Sequence, residues 1–205
     1  MGGAGSAADD AVAARRGARR VASARDIARA LQRMADAIAA DLAGEDPVVL
    51  AVMHGGAFAA VEICRRLNFP YELDFVHVTR YARGTRGGEI EWRVRPSARL
   101  TGRTVLVVDD VLDRGHTLRA LGAELEKVGV ARQLTAVLVV KRVAHARARP
   151  KVDYRGVEVD DVYLFGCGMD YRGYWRGLPA LYALGSAKPR PTKKRFGSRR
   201  GRARM

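Results

Sequence analysis

Asp109, Asp110 and Asp113 set three carboxylates close together in mid-chain. An apolar run rich in β-branched residues, Val105 to Val108, precedes them, and Arg114-Gly115-His116-Thr117 follows. Leu118, Leu121 and Leu125 then recur at helical spacing. The segment reads as a buried strand, a turn and the start of a helix. Free backbone N–H groups at a helix start favour a phosphate. Carboxylates beside it suit Mg²⁺, sugar hydroxyls or the work of a general base. An ordinary strand–turn–helix with acidic caps has the same local pattern, so other segments must decide whether this one holds a sugar phosphate.

The surrounding pattern supplies the elements that would position such a loop. Residues 1–22 read as a flexible N-terminal arm. Ser23-Ala24-Arg25-Asp26 resembles a capping box, and Ile27, Leu31, Met34, Ile38 and Leu42 line one helical face until Gly44 and Pro47 stop it. Val48 to Met53 reads as a buried strand, and Gly55-Gly56 turns the chain into a helix through Phe58, Val61, Ile63 and Leu67. Glu72 to Thr79 predicts a strand with Leu73, Phe75 and His77 on one face, His77 as a packed residue. A glycine-rich loop over 80–88 leads to an edge strand, Glu89 to Val94. Strands over 104–109, Leu134 to Val140 and Val157 to Phe165, with a helix over 116–128, complete the pattern. Strands alternating with helices predict an α/β fold whose ligands bind at the strands' C-terminal ends.

Composition narrows the function classes. The chain has 205 residues, 48% of them hydrophobic, enough for one domain over residues 23–185. Two cysteines, Cys64 and Cys167, are too few for a disulfide framework and point to a reducing, cytoplasmic setting. No apolar run approaches the ~20 residues that cross a bilayer, so no membrane partner is expected. The formal net charge is +15. Nine Lys/Arg and no acid fall in residues 186–205, leaving +6 for the rest. This tail has little to bury and predicts a disordered basic segment, able to touch nucleic acid nonspecifically through counterion release.

The stretch through Asp109 and Thr117 resembles the 5-phosphoribosyl-1-pyrophosphate (PRPP) motif of the type I phosphoribosyltransferases, and the match is complete. Further segments, Thr79-Arg80-Tyr81, Gly87-Gly88-Glu89 and Gly168-Met169-Asp170-Tyr171-Arg172-Gly173-Tyr174-Trp175-Arg176, are similar to the 6-oxopurine branch, the hypoxanthine-guanine phosphoribosyltransferases, and to its short bacterial members. The likeness runs from about Ala28 to Leu184. It implies the type I phosphoribosyltransferase fold, a central mostly parallel sheet flanked by helices with a small hood region, assembled as a homodimer or homotetramer.

The resemblance also assigns expected roles. Arg114, Gly115, His116 and Thr117 would hold the 5′-phosphate. Asp109 and Asp110 would bind the ribose hydroxyls and Mg²⁺, and Asp113 would take the purine N7 proton. A free Asp titrates near ~3.9, and burial or neighbouring acids would make it a stronger base. Met53, His54 and Gly55 would form the pyrophosphate loop, with a cis peptide at Met53-His54. His54 stands where many members have Lys. Arg80 and Tyr81 would close over pyrophosphate, with Arg80 where the family usually has Ser, and Arg176 would neutralise that anion. Lys141 would donate to purine O6, Tyr163 would stack on the base, Leu164 would use its backbone groups, and Asp170 would meet guanine's N2 region or a second Mg²⁺. Many members carry Arg a few residues after the lysine, and here His145 stands near that place. The expected activity is transfer of phosphoribose from PRPP to hypoxanthine or guanine. The other readings are a regulator sensing PRPP or nucleotide and binding nucleic acid through its tail, an enzyme for another base, and a nucleic-acid-binding protein on the same scaffold.

Overall fold

The computed structural model describes residues 6–80, 90–143 and 149–185. The arm expected over residues 1–22 is corrected for its described part, because residues 6–22 are built into the fold. Ser6 Oγ accepts from Asp9 N (3.2 Å) while the Asp9 carboxylate accepts from Ser6 N (2.9 Å), a capping box that starts helix α1 (Ala7–Gly17). Strand β1 (Arg19–Ala22) follows. Neither element shows in the local apolar pattern, since the partners of α1 lie at the far end of the chain. The Asp10 carboxylate accepts from Tyr171 Oη (3.0 Å) and Arg172 Nη1 (2.8 Å), Trp175 Nε1 donates to the Ala11 carbonyl (2.7 Å), and Arg15 lies 3.7 Å over the Tyr182 ring. Trp175→Phe would remove that bond while the carbonyl keeps its helical partner, so urea unfolding should show a loss of about 0.5–1.5 kcal/mol.

Helix α2 (Ala24–Leu42) begins at the expected Ser23–Asp26 box and buries Ile27, Leu31, Met34, Ile38 and Leu42, the stripe read from the sequence. The main sheet contains β2 (Val48–Val52), β3 (Glu72–Arg80), β4 (Ile90–Val94), β5 (Thr104–Leu112), β6 (Arg132–Arg142) and β7 (Tyr154–Asp160). Their order is β4-β3-β2-β5-β6-β7, parallel throughout except for β4, which runs antiparallel to β3. Helix α2 and helix α3 (Gly56–Cys64) pack with Val49, Ala51, Leu106, Val108 and Leu138 on one face. Helix α4 (His116–Val128) packs with Leu50, Val105 and Val107 on the other. Burial on both faces explains why the central strands read as unbroken apolar runs.

Several boundaries differ from expectation; β6, for one, runs from Arg132 to Arg142, so Lys141 lies inside the strand. β5 continues to Leu112, so Asp109 and Asp110 lie inside the strand. α3 ends at Cys64, short of Leu67. The strand expected over 157–165 breaks after β7, and β8 (Leu164–Phe165) leaves the main sheet. It joins β1 and β9 (Leu181–Ala183) in a small antiparallel sheet of order β1-β9-β8, the hood of the molecule. His77 packs as expected, its ring 4.6 Å edge-on from His54. Cys64 and Cys167 are free and buried. No helix among the described residues is long and apolar enough to cross a membrane.

Candidate active site

The C-terminal ends of β2 and β5 and the start of α4 enclose a cavity of about 290 Å³. It is lined by Met53, Asp109, Asp110 and Asp113 through Thr117, so residues expected to hold the sugar phosphate do converge. Gly115 adopts φ +75°, and a side chain there would overlap Pro150 as well as strain the backbone. It precedes α4, whose start receives no side-chain cap. Its first N–H groups are therefore available to an anion from outside the helix. The Met53-His54 peptide is cis, as expected. A Cβ at Gly55 would overlap the Asp110 carboxylate, so only glycine lets this loop lie against β5.

Asp109 and Asp110 are a coupled acidic pair. Asp109 Oδ1 accepts from Asp110 N (2.9 Å). Burial, and then the charge of Asp110, push the Asp109 carboxyl well above the usual carboxylate range. Burial also raises Asp110, against hydrogen bonds and the nearby Arg176 charge, which pull it down. Two hard oxygen donors that resist ionising together fit a divalent cation. Among the described residues no group of three or more His, Cys, Asp or Glu gathers to hold a metal. Mg²⁺ characteristically takes one or two carboxylates plus substrate phosphates, and Asp109 and Asp110 suit that arrangement.

Asp113 and Lys141 meet across the ends of β5 and β6, Nζ to Oδ2 at 3.7 Å. The burial considered for Asp113 is absent, since its side chain is 51% exposed. The Lys141 side chain is only 13% exposed, and its ammonium also reaches Asp161 Oδ1 at 3.4 Å. Asp161 escaped the sequence reading because it sits in the turn after β7, where a strand was expected.

Tyr163, Leu164, Asp170 and Arg176 form a second group on the hood. Tyr163 is half exposed, its hydroxyl donates to the Asp170 carbonyl (3.1 Å), and its ring stands edge-to-face with that of Tyr171 at 6.1 Å. Leu184 N donates to Tyr163 O (3.0 Å), which makes Leu164 and Ala183 a non-hydrogen-bonded pair. The N–H and C=O of Leu164 therefore point away from β9, toward the outer edge of β8. The Asp170 carboxylate is engaged by Arg176 Nη2 (2.7 Å) and by Gly173 N (2.6 Å), while Arg176 Nη1 donates to the Gly168 carbonyl (2.8 Å). Gly168 lies so close to the Gly55 carbonyl that a Cβ would overlap it, which joins the hood to the loop after β2. Tyr81, the side chain of Arg80, the glycine-rich loop and His145 lie outside the described residues, as does the tail.

Comparison with known proteins agrees with this geometry. The sequence model of the phosphoribosyl transferase domain matches residues 18–172. The bifunctional protein TilS/HprT of Listeria innocua is 30% identical over 148 residues, 72% of this chain but 23% of that protein. The chain thus spans about a quarter of the length of the first such relatives. The hypoxanthine-guanine phosphoribosyltransferase of Lactococcus lactis is 26% identical over 163 residues, covering 79% of this chain and 88% of that one. Among solved structures, a hypoxanthine phosphoribosyltransferase from Staphylococcus aureus superposes with a TM-score of 0.76 at 24% identity, over 82% of this chain and 91% of that one. The Trypanosoma cruzi hypoxanthine phosphoribosyltransferase in complex with the product IMP gives 0.74 at 25% identity, over 81% and 93%. The fold is therefore that of the type I phosphoribosyltransferases. A match from β1 to the hood loop, well beyond the acidic motif alone, means that the chain belongs to the phosphoribosyl transferase domain family.

Proposed function

We propose that the chain transfers the 5-phosphoribosyl group from PRPP to N9 of hypoxanthine or guanine, giving IMP or GMP and pyrophosphate. The observation that carries this is the meeting of Asp113 with Lys141 beside an uncapped helix start. A carboxylate and an ammonium so close can address N7–H and O6 of one purine. N9 attacks the anomeric carbon, the bond to pyrophosphate breaks, and Asp113 accepts the N7 proton. Lys141 donates to O6 and cannot accept from adenine's amino group. The N–H groups at the start of α4, with Arg114 and Thr117, hold the 5′-phosphate, and Asp109 and Asp110 receive the ribose hydroxyls. Mg²⁺ held by Asp109 and Asp110 would offset charge on the pyrophosphate as it leaves. The stacking face of Tyr163 and the outward N–H and C=O of Leu164 would complete the purine pocket. Arg176 is already paired with Asp170, so its role toward pyrophosphate, and any role of Asp170 at a second Mg²⁺ or guanine's N2, requires that pair to open.

Purified protein supplied with PRPP, MgCl₂ and each base in turn tests the proposal. Hypoxanthine and guanine should form nucleotide and adenine should not. No turnover with either 6-oxopurine would refute it. Lys141→Met should lower kcat/KM for hypoxanthine about 5- to 150-fold, as expected for a lost polar contact of ~1–3 kcal/mol. Assembly as a homodimer or homotetramer belongs to the same proposal. Phe58 and Val61 on α3 and Leu73 and Phe75 on β3 are exposed, which supports burial against a second copy. A cytoplasmic location and nonspecific nucleic-acid contact by the basic tail are part of the reading as well. The non-catalytic sensor is the less favoured alternative, since Asp113 and Lys141 lie 3.7 Å apart, as a shared purine would require, and a sensor needs no such pair.

A further inference from the structure

Arg149 has no place in the mechanism above, yet its guanidinium lies among the elements that carry it. Nη1 donates to the Lys141 carbonyl (2.8 Å), and Nη2 donates to the carbonyl of Leu112, the residue before Asp113. The backbone ladder between β5 and β6 ends at the Leu112–Val140 pair. Arg149 therefore links the two strands where their own pairing stops, and it does so at the residues that present the base and the O6 donor. The next residue, Pro150, packs under Gly115 so closely that no side chain fits there. Arg149 Nε is buried and has no hydrogen-bond partner among the described residues. An unpaired buried N–H is costly, and an apolar side chain would fill the same space without it. A planar fork with fixed donor spacing suits two carbonyls that converge on one group from separate strands, and a lysine lacks that fork.

We infer that Arg149 is a positioning residue: its guanidinium fixes the separation of the strand ends that bear Asp113 and Lys141, so that both reach one purine. This rests on the proposed transferase reading. Misplacement of reacting groups by about 1 Å costs on the order of 10²-fold in rate. Arg149→Met in the full chain should therefore lower kcat with hypoxanthine about 100-fold and weaken equilibrium binding of IMP. The KM for PRPP should change less than about threefold, because Pro150 still supports the phosphate loop. Arg149→Lys, with one ammonium for two carbonyls, should also lose most of kcat while keeping a cooperative thermal transition. Ethylguanidinium added to Arg149→Ala should restore part of the lost kcat and leave the wild type unchanged.

Unchanged kcat and IMP affinity in Arg149→Met would overturn the inference. So would full kcat in Arg149→Lys, or no restoration by ethylguanidinium. Wild-type protein that binds IMP but turns over neither base would refute the transferase reading alone. Equal IMP affinity in wild type and Arg149→Met would refute the brace alone.

Discussion

Asp113→Asn should lower kcat by about 10²–10⁴-fold, the usual contribution of a positioned general base. Asparagine keeps the size and the hydrogen-bonding oxygen but cannot accept a proton at neutral pH. The half-exposed side chain lies at the cavity mouth and supports no core packing. Folding should therefore be untouched. The phosphate loop and the Asp109–Asp110 pair remain, so PRPP should bind with unchanged affinity in calorimetry. The variant would thus separate the proton transfer from substrate binding. An unchanged kcat would remove Asp113 from its role, and a lost PRPP affinity would reassign it to binding.

Asp109→Asn should have opposite effects on activity and stability. PRPP affinity with Mg²⁺ should fall about 10- to 150-fold, since hydrogen bonds to charged groups contribute ~1.5–3 kcal/mol. The free protein should become more stable. Burial and the neighbouring Asp110 raise the Asp109 carboxyl well above its ordinary range. A carboxyl raised in the native state holds a proton that the unfolded chain has already released. Stability therefore falls as pH rises from the unfolded value, ~3.9, through the raised native value. Asparagine does not titrate and so does not suffer this loss. Its side-chain oxygen can still accept from Asp110 N. A gain of about 0.5–2 kcal/mol is typical when such a functional strain is relieved. For a chain of this size that is a rise of roughly 1–8 °C in Tm. The gain should be larger at pH 8 than at pH 4, since the cost of the raised carboxyl grows as pH rises above the unfolded value. Differential scanning calorimetry at the two pH values measures it. A lower Tm at pH 8 would show that the pair stabilises the fold and exists for packing.

Local chemistry made part of this molecule legible. The stripe Ile27, Leu31, Met34, Ile38 and Leu42 announced α2 because a helix repeats its buried face every three or four residues. The Val105–Val108 run announced a buried parallel strand. The short hood strands did not show. β1 and β9 span only a few residues and are stable because they pair with each other from opposite ends of the chain. The same holds for α1, whose capping box at Ser6 is local but whose docking on Tyr171, Arg172 and Trp175 is not.

The candidate site divides along the same line. The loop after β5 could be read in one dimension because strand end, carboxylates, glycine turn and helix start are contiguous, and their backbone geometry follows from residue type. The sequence by itself determined that a sugar phosphate could be held between Asp109 and Thr117. Only the tertiary structure decided what faces it. The β5–β6 pairing brings Lys141 to Asp113, and the break after β7 sets Asp161 beside Lys141. The return of the chain at Arg149 ties both strand ends together. Those contacts depend on strand order and on which turns fold back, which are properties of the packed sheet rather than of any short run of residues.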